Sequence, residues 1–373
     1  MAESRVSQER SPALDVIRCV ACFTVFSVHF FNRVGFFTET INNRRMAVMV
    51  FFRSASMICV PLFMLLSGYL LCRKKPERSY YGKIWRTVLI YLLSGIFCQF
   101  FRALHNGALP PVSELLRLFF SFEASPYGWY INMYIGLFLI IPFLNLAYQH
   151  TPTQGWKRQL IGFMVLLTAL PGLLNCYSID TPGWWRTPTS SASYLSIVPD
   201  WWIRLYPITY YFIGCYLREY GCGLRSGKNL LLLLAAFLFG GFFNLWRSWG
   251  VPMQDGVWNA YSSILVMIPT VLLFTLLLNL KYNRMPSFLR RLFALGSELS
   301  LGAYLVSWVF DVYLYTRLSQ SVPVLHQRLS YYPLMVSLVF VCSMLVSFLI
   351  QQLYRLLHLL GVRLRRKNET APS

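Results

Sequence analysis

Residues Leu14 to Phe37, LDVIRCVACFTVFSVHFFNRVGFF, form an apolar run long enough to cross a bilayer, because about 20 residues at about 1.5 Å each cover the hydrocarbon core. The run nonetheless carries Asp15, Arg18 and His29. A charge inside a span costs roughly 2.5–3.5 kcal/mol on insertion scales, so each of these residues is a functional candidate by default. Arg18 and His29 are 11 residues apart. That spacing is about three turns plus 20°, which puts both on one helix face about 16 Å apart. Asp15 precedes Arg18 by three residues and can pair with it. The same face can also be read as a snorkelling helix start followed by a core histidine bonded to a neighbouring helix.

The rest of the chain fits a protein built around such a span. Of 373 residues, 56% are hydrophobic and 13% charged. Soluble domains are nearer about 45–50% apolar and about 25% charged, so the composition is that of a multi-span membrane protein. The first run is too long for a signal-peptide core, carries charges, and lacks a small-residue cleavage site after it, so it is expected to remain as a span. Net charge is +20. The basic residues sit in short clusters between apolar stretches, which reads as topology and anionic-lipid contact; no nucleic-acid motif accompanies them. The nine cysteines fall mostly in or at the ends of spans, and the CxxC of Cys19 and Cys22 reads as packing. No set of His, Cys and carboxylates at metal-ligand spacing is present, so no metal is expected.

Apolar stretches between charged or Gly/Pro-rich breaks predict ten spans, near 14–37, 47–72, 84–104, 128–148, 159–177, 201–220, 229–247, 259–280, 292–316 and 331–360. With the N-terminus in the cytoplasm, 22 Lys and Arg fall on cytoplasmic segments and 11 on the other side. That bias predicts both termini inside. The expected organisation is a cytoplasmic N-terminus over 1–13, one transmembrane domain over 14–360, and a basic cytoplasmic tail over 361–373. The longest break, 177–200, is rich in Trp, Pro, Ser and Thr on the expected outer side, and reads as an interfacial belt or as a platform for sugar rings.

Several further residues can carry chemistry. In PLFMLLSGYLL, Ser67 and Gly68 allow a helix or ligand to approach the backbone, Tyr69 offers a hydroxyl, and Pro61 can kink the span. Arg73, Lys74, Lys75, Arg78, Lys83 and Arg86 form a basic cluster whose members suit phosphate binding or simple topogenic charge; Arg73 and Arg86 stand out by position. Trp129, Tyr130 and Asn132 open the fourth span as candidate lining residues. Asp311, deep in the ninth span, needs a partner or a water-filled cavity, and Glu298 lies one span-half earlier.

An Arg followed eleven residues later by a His, in a first span opening LDVIR, together with the SGY block before RKKPER, resembles membrane-bound acyltransferase family three. GWYINMYIGLFLIIPFLN and SELSLGAYLVSWVFDVYLY resemble two further blocks of that family more loosely, and Ser307 stands where many relatives carry a second histidine. The resemblance implies an all-α polytopic bundle that moves an acyl group, acetyl first among candidates, from cytoplasmic acyl-CoA to a hydroxyl of a cell-surface or lipid-linked glycan. It implies His29 as general base or transient acyl carrier and Arg18 as donor-binding or orienting group. Asp15, Ser67, Gly68, Tyr69 and Asp311 would support them, Arg73 and Arg86 would bind the donor, and Trp129, Tyr130 and Asn132 would line the pocket. By analogy the setting is a bacterial plasma membrane. The alternative reading is a transporter or flippase of a lipid-linked sugar or small metabolite without covalent chemistry.

Overall fold

The computed structural model describes residues 11–179, 182, 184 and 195–369. The expected N-terminal segment, most of the aromatic 177–200 break and the last four residues of the tail lie largely outside this set. Helices run in the order α1 (Pro12–Arg33), α2 (Arg44–Ser56), α3 (Cys59–Leu71), α4 (Arg78–Tyr81), α5 (Ile84–Asn106), α6 (Val112–Phe120), α7 (Trp129–Gln149) and α8 (Gln154–Thr168). There follow α9 (Pro171–Leu174), α10 (Tyr206–Tyr220), α11 (Ser226–Ser248), α12 (Ile264–Asn279), α13 (Ser287–Phe310), α14 (Thr316–Ser321) and α15 (Tyr332–Glu369). The described residues hold two isolated β-bridges, Thr40 to Pro252 and Ile41 to Trp249, and no strand.

Each of the ten expected spans is helical. Eight are long and apolar enough to cross a membrane. The other two are α10, with 15 residues, and α12, with 16. At about 1.5 Å per residue these reach only about 22–24 Å, short of a full hydrocarbon core. The second span breaks at Met57 and Ile58 between α2 and α3. Pro61 lies four residues after Met57: it has no N–H to donate to that carbonyl, and its ring crowds it. The break therefore falls one turn before the proline.

α1 is the central helix, with 14 of its 22 residues buried. It packs on α3, α13 and α15. The tightest helix pair is α3 on α10, where a Cβ on Gly68 would sit 2.0 Å from the Tyr211 carbonyl oxygen and one on Gly214 2.3 Å from that of Leu65. Only glycine allows this approach. Arg18 donates to Ser297 Oγ at 3.2 Å, and Arg355 to Glu298 Oε1 at 2.9 Å. These contacts place the start of α1, the start of α13 and the latter part of α15 on one side of the bundle, the termini side. The ends of α1 and α13 lie on the far side.

On the far side α6 is a short amphipathic helix. Val112, Leu116 and Phe120 share one exposed apolar face, while Arg117 bonds Glu114 and Glu123 on the other. The Arg117 hydrogen bonds hold the Glu114 carboxyl below the usual carboxylate range. After α6 the chain folds back into the bundle. Phe122 takes a left-handed φ of 61°, and a Cβ on Gly128 would meet the Phe122 carbonyl oxygen at 2.1 Å. Gln99 donates to the Ala124 carbonyl at 2.7 Å and Ser125 to that of Leu305 at 2.7 Å. This loop is thereby fixed against α5 and α13, and it carries Tyr127.

Candidate functional site

His29 lies near the far-side end of α1, almost fully buried. Its Nδ1 is 3.0 Å from Oδ2 of Asp311, which is wholly buried. This is an ion-pair distance without hydrogen-bond alignment, and Asp311 Oδ1 has no hydrogen-bond partner among the described residues. The same Oδ2 accepts from the Tyr127 hydroxyl at 2.7 Å. The Tyr127 ring stacks on the imidazole with centroids 3.9 Å apart. Tyr304 completes the group, donating to the Tyr127 carbonyl at 2.5 Å with its ring 6.4 Å from that of His29.

The backbone explains why Asp311 reaches the histidine. Residues Asp311–Tyr315 form a single π-helical turn after α13. Such a widened turn shifts the register of the side chains that follow, and it recurs at functional sites. Sequence periodicity carries no sign of it. A carboxylate beside Nδ1 favours a positive charge on the imidazole, and Nε2 is the ring nitrogen that does not face it. The carboxylate that the sequence leaves in search of a partner has one in His29. Ser307, at the position of the missing histidine, is buried and donates to the Tyr304 carbonyl at 2.9 Å, an i−3 backbone bond with no part in the pair.

Toward the termini side lies a cavity of ≈ 250 Å³ lined by Arg18, Ser67, Thr87, Tyr130, Tyr134 and Tyr304, among others. Val25, one turn before His29, and Tyr304 are among its lining residues. On the far side a second cavity, ≈ 430 Å³, is lined by Val28, Asn32, Arg53, Asp255, Asn259 and Tyr261, among others. Val28 and Asn32 flank His29 in the chain. His29 itself lines neither cavity, but its neighbours on α1 do: Val25 the one that holds Arg18, Val28 and Asn32 the other.

The remaining sequence candidates separate. Arg18 is in the first cavity, tied to α13 through Ser297; Asp15, buried one turn earlier, and Arg18 each make further polar or electrostatic interactions. Ser67 lines the cavity, whereas Gly68 serves the α3–α10 contact. Tyr69 points to α10 and α12: Arg218 donates to its hydroxyl at 3.4 Å, and Phe274 meets its ring edge. Tyr130 lines the cavity; Trp129 stacks on Tyr261 at 5.9 Å beside the far-side cavity; Asn132 is exposed and lines neither cavity. Arg73 borders a separate termini-side cavity with Lys75, Lys157 and Arg218, while Arg86 pairs with Glu298 at 3.7 Å and lies over the Tyr354 ring. Neither arginine lines the Arg18 cavity. Tyr127 and Tyr304 are not among the sequence candidates; Tyr127 lies in the aromatic run SPYGWY at the start of α7, and Tyr304 in the SELSLGAYLV block of α13. Among the described residues no group of His, Cys, Asp and Glu is arranged to hold a metal.

A buried His–Asp pair lies beside two cavities in a bundle that holds, among the described residues, eight helices long and apolar enough to cross a membrane. The model of a family described as an acyltransferase domain matches residues 11–351, nearly the whole chain. The chain belongs to acyltransferase family 3, and it is a membrane acyltransferase. Neither a curated protein nor a solved structure matches it.

Proposed function

We propose that the protein transfers an acyl group, acetyl first among candidates, from cytoplasmic acyl-CoA to a hydroxyl of a cell-surface or lipid-linked glycan in the plasma membrane, the setting being bacterial. The observation that carries this reading is the His29–Asp311 pair beside two cavities. The Arg18 cavity lies on the side that the positive charges assign to the cytoplasm. Acyl-CoA carries phosphates at one end and its thioester at the end of a long pantetheine arm. Arg18 offers a planar fork for a phosphate or amide of that arm, about 16 Å before the histidine.

In the reaction, His29 Nε2 takes the proton of the acceptor hydroxyl as its oxygen attacks the thioester carbonyl. Collapse of the tetrahedral species expels the CoA thiolate, which takes the proton back from the imidazolium. The products are the ester and free CoA. Asp311 stabilises the imidazolium in between, and Tyr127 holds the carboxylate in place. Direct attack on the thioester needs no acyl-histidine; the support for two substrates meeting at His29 is that its neighbours on α1, Val25 on one side and Val28 and Asn32 on the other, border the two cavities. A transporter without covalent chemistry would leave the family membership unexplained.

The test is transfer of label from radioactive acetyl-CoA into lipid-linked and polymer glycan fractions of membranes holding wild type or His29→Ala. His29-dependent label is the expected outcome. Undiminished glycan acetylation by an inserted, abundant His29→Ala protein would remove the mechanism.

A further inference from the structure

The far-side cavity contains a feature that the His–Asp chemistry does not use. Arg53 lies in the third turn of α2, about 13 Å along the helix from its start, so its side chain sits within the depth of the bundle. It is 6% exposed and lines the cavity. Its Nε is buried without a hydrogen-bond partner, and no hydrogen bond or ion pair joins its guanidinium to any described residue. Its one contact of note is with the face of Phe37, 5.6 Å from the ring centroid. A guanidinium presents five donors and no acceptor. Burying such a charge without a counter-ion is costly, and inside a membrane protein an ionisable group of this kind marks a ligand path.

The surroundings define what would satisfy it. The one carboxylate on the cavity, Asp255, is exposed and forms no ion pair with Arg53. Asn32, Asn259 and Tyr261 add polar and aromatic surface of the kind that holds hydroxyl-rich rings. Asn259 is already engaged, donating to the Asn244 side-chain oxygen and the Gln254 backbone carbonyl, which fixes its position on the wall. At ≈ 430 Å³ the cavity is within the roughly 300–1,000 Å³ typical of small-molecule sites. Arg328, on the same side, is the contrasting case: its guanidinium donates to the carbonyls of Val34, Val322, Ser319 and Pro323 and is a structural staple. Arg53 has no such use.

We propose that the far-side cavity is the acceptor subsite and that Arg53 binds an anionic group, phosphate or carboxylate, carried by the acceptor sugar. The inference rests on the acyl-transfer reading for the word acceptor, but recognition of an anionic sugar is measurable without any transfer. A planar guanidinium takes two oxygens of phosphate or carboxylate at once, which fixes the sugar as well as attracting it. Arg53, Val28 and Asn32 border the same cavity, which puts the anion site and the two residues flanking His29 on one space.

The experiment uses the full chain in detergent and follows thermal unfolding with glucose, glucose 1-phosphate, glucuronic acid or inorganic phosphate. It compares wild type, His29→Ala, Arg53→Gln and Arg53→Lys. The phosphorylated or carboxylated sugar should raise the midpoint of wild type and of His29→Ala alike, by about 2 °C or more at saturation, because a ligand bound only to the folded state stabilises it. Glucose should not; Arg53→Gln should lose the shift and Arg53→Lys keep part of it. The stronger of the two sugars separates a diphosphate-linked lipid sugar from an acidic polymer unit as the source. An equal shift from glucose, an undiminished shift in Arg53→Gln, or no shift with any sugar overturns the proposal. Inorganic phosphate reproducing the whole effect would reduce the site to a free-anion site and overturn sugar recognition. Because His29→Ala retains the site, its failure to transfer label decides the reaction separately from this result.

Discussion

At the scale of single residues the site depends on one carboxylate held where carboxylates are expensive. Asp311 is wholly buried, and its Oδ2 meets both the imidazole and the Tyr127 hydroxyl. In the proposed mechanism, Asp311→Asn preserves size but removes the charge that stabilises the imidazolium. General acid–base assistance contributes roughly 10²–10⁴-fold, so kcat for acyl transfer is expected to fall within that range while KM for the donor changes little. Tyr127→Phe leaves the carboxylate in place with one bond fewer and should lie between Asp311→Asn and wild type. Label transfer measured across acyl-CoA concentrations checks both. A kcat in Asp311→Asn equal to that of wild type would mean that the pair is structural.

At the scale of elements, much was readable from the chain and some was not. The ten apolar stretches marked helical segments, the second of them split into α2 and α3, because hydrophobic length is a property of each segment alone. The 11-residue spacing of Arg18 and His29 likewise fixed their common face. What could not be read depends on other segments. The π-helical turn that carries Asp311 follows from local packing at the end of α13, and the Tyr127 loop is pinned by Gln99 and Ser125 to distant carbonyls. Adjacent residues also diverge: Ser67 faces the cavity, Gly68 the α10 backbone and Tyr69 the Arg218 side chain. One helical turn of the sequence block therefore serves three surfaces. The glycine makes a prediction of its own. A Cβ at position 68 would sit 2.0 Å from a backbone oxygen, which cannot swing away as a side chain would. Gly68→Val should force α3 and α10 apart at a cost of about 1–3 kcal/mol or more, as overpacking does. The expected readout is a lower thermal midpoint in detergent; Ser67→Ala should leave that midpoint nearly unaltered, since Ser67 Oγ bonds only the Phe63 carbonyl one turn back.

At the scale of the molecule the decisive property is sidedness. A transferase that joins a cytoplasmic donor to an outer acceptor must present one nitrogen to two compartments without leaving an open channel. In the proposed mechanism Tyr304 and Val25 border the donor cavity and Val28 and Asn32 the acceptor cavity, with His29 on the same helix. Two introduced cysteines make this measurable, one at each cavity, in a background where the partly exposed Cys222 and Cys342 are replaced by serine and the other seven native cysteines are buried. Asn32→Cys should react with a membrane-impermeant maleimide added to intact cells. Ser67→Cys should react only in inverted vesicles, and acetyl-CoA should slow that reaction by occupying the Arg18 cavity. The physical reason is continuity: a reagent that cannot cross the bilayer reaches a cavity only through water connected to its own side. Labelling of both positions from the same side would break the two-sided mechanism even if His29 proved essential. Labelling from opposite sides, with donor protection confined to Ser67→Cys, would fix the direction in which the acyl group travels.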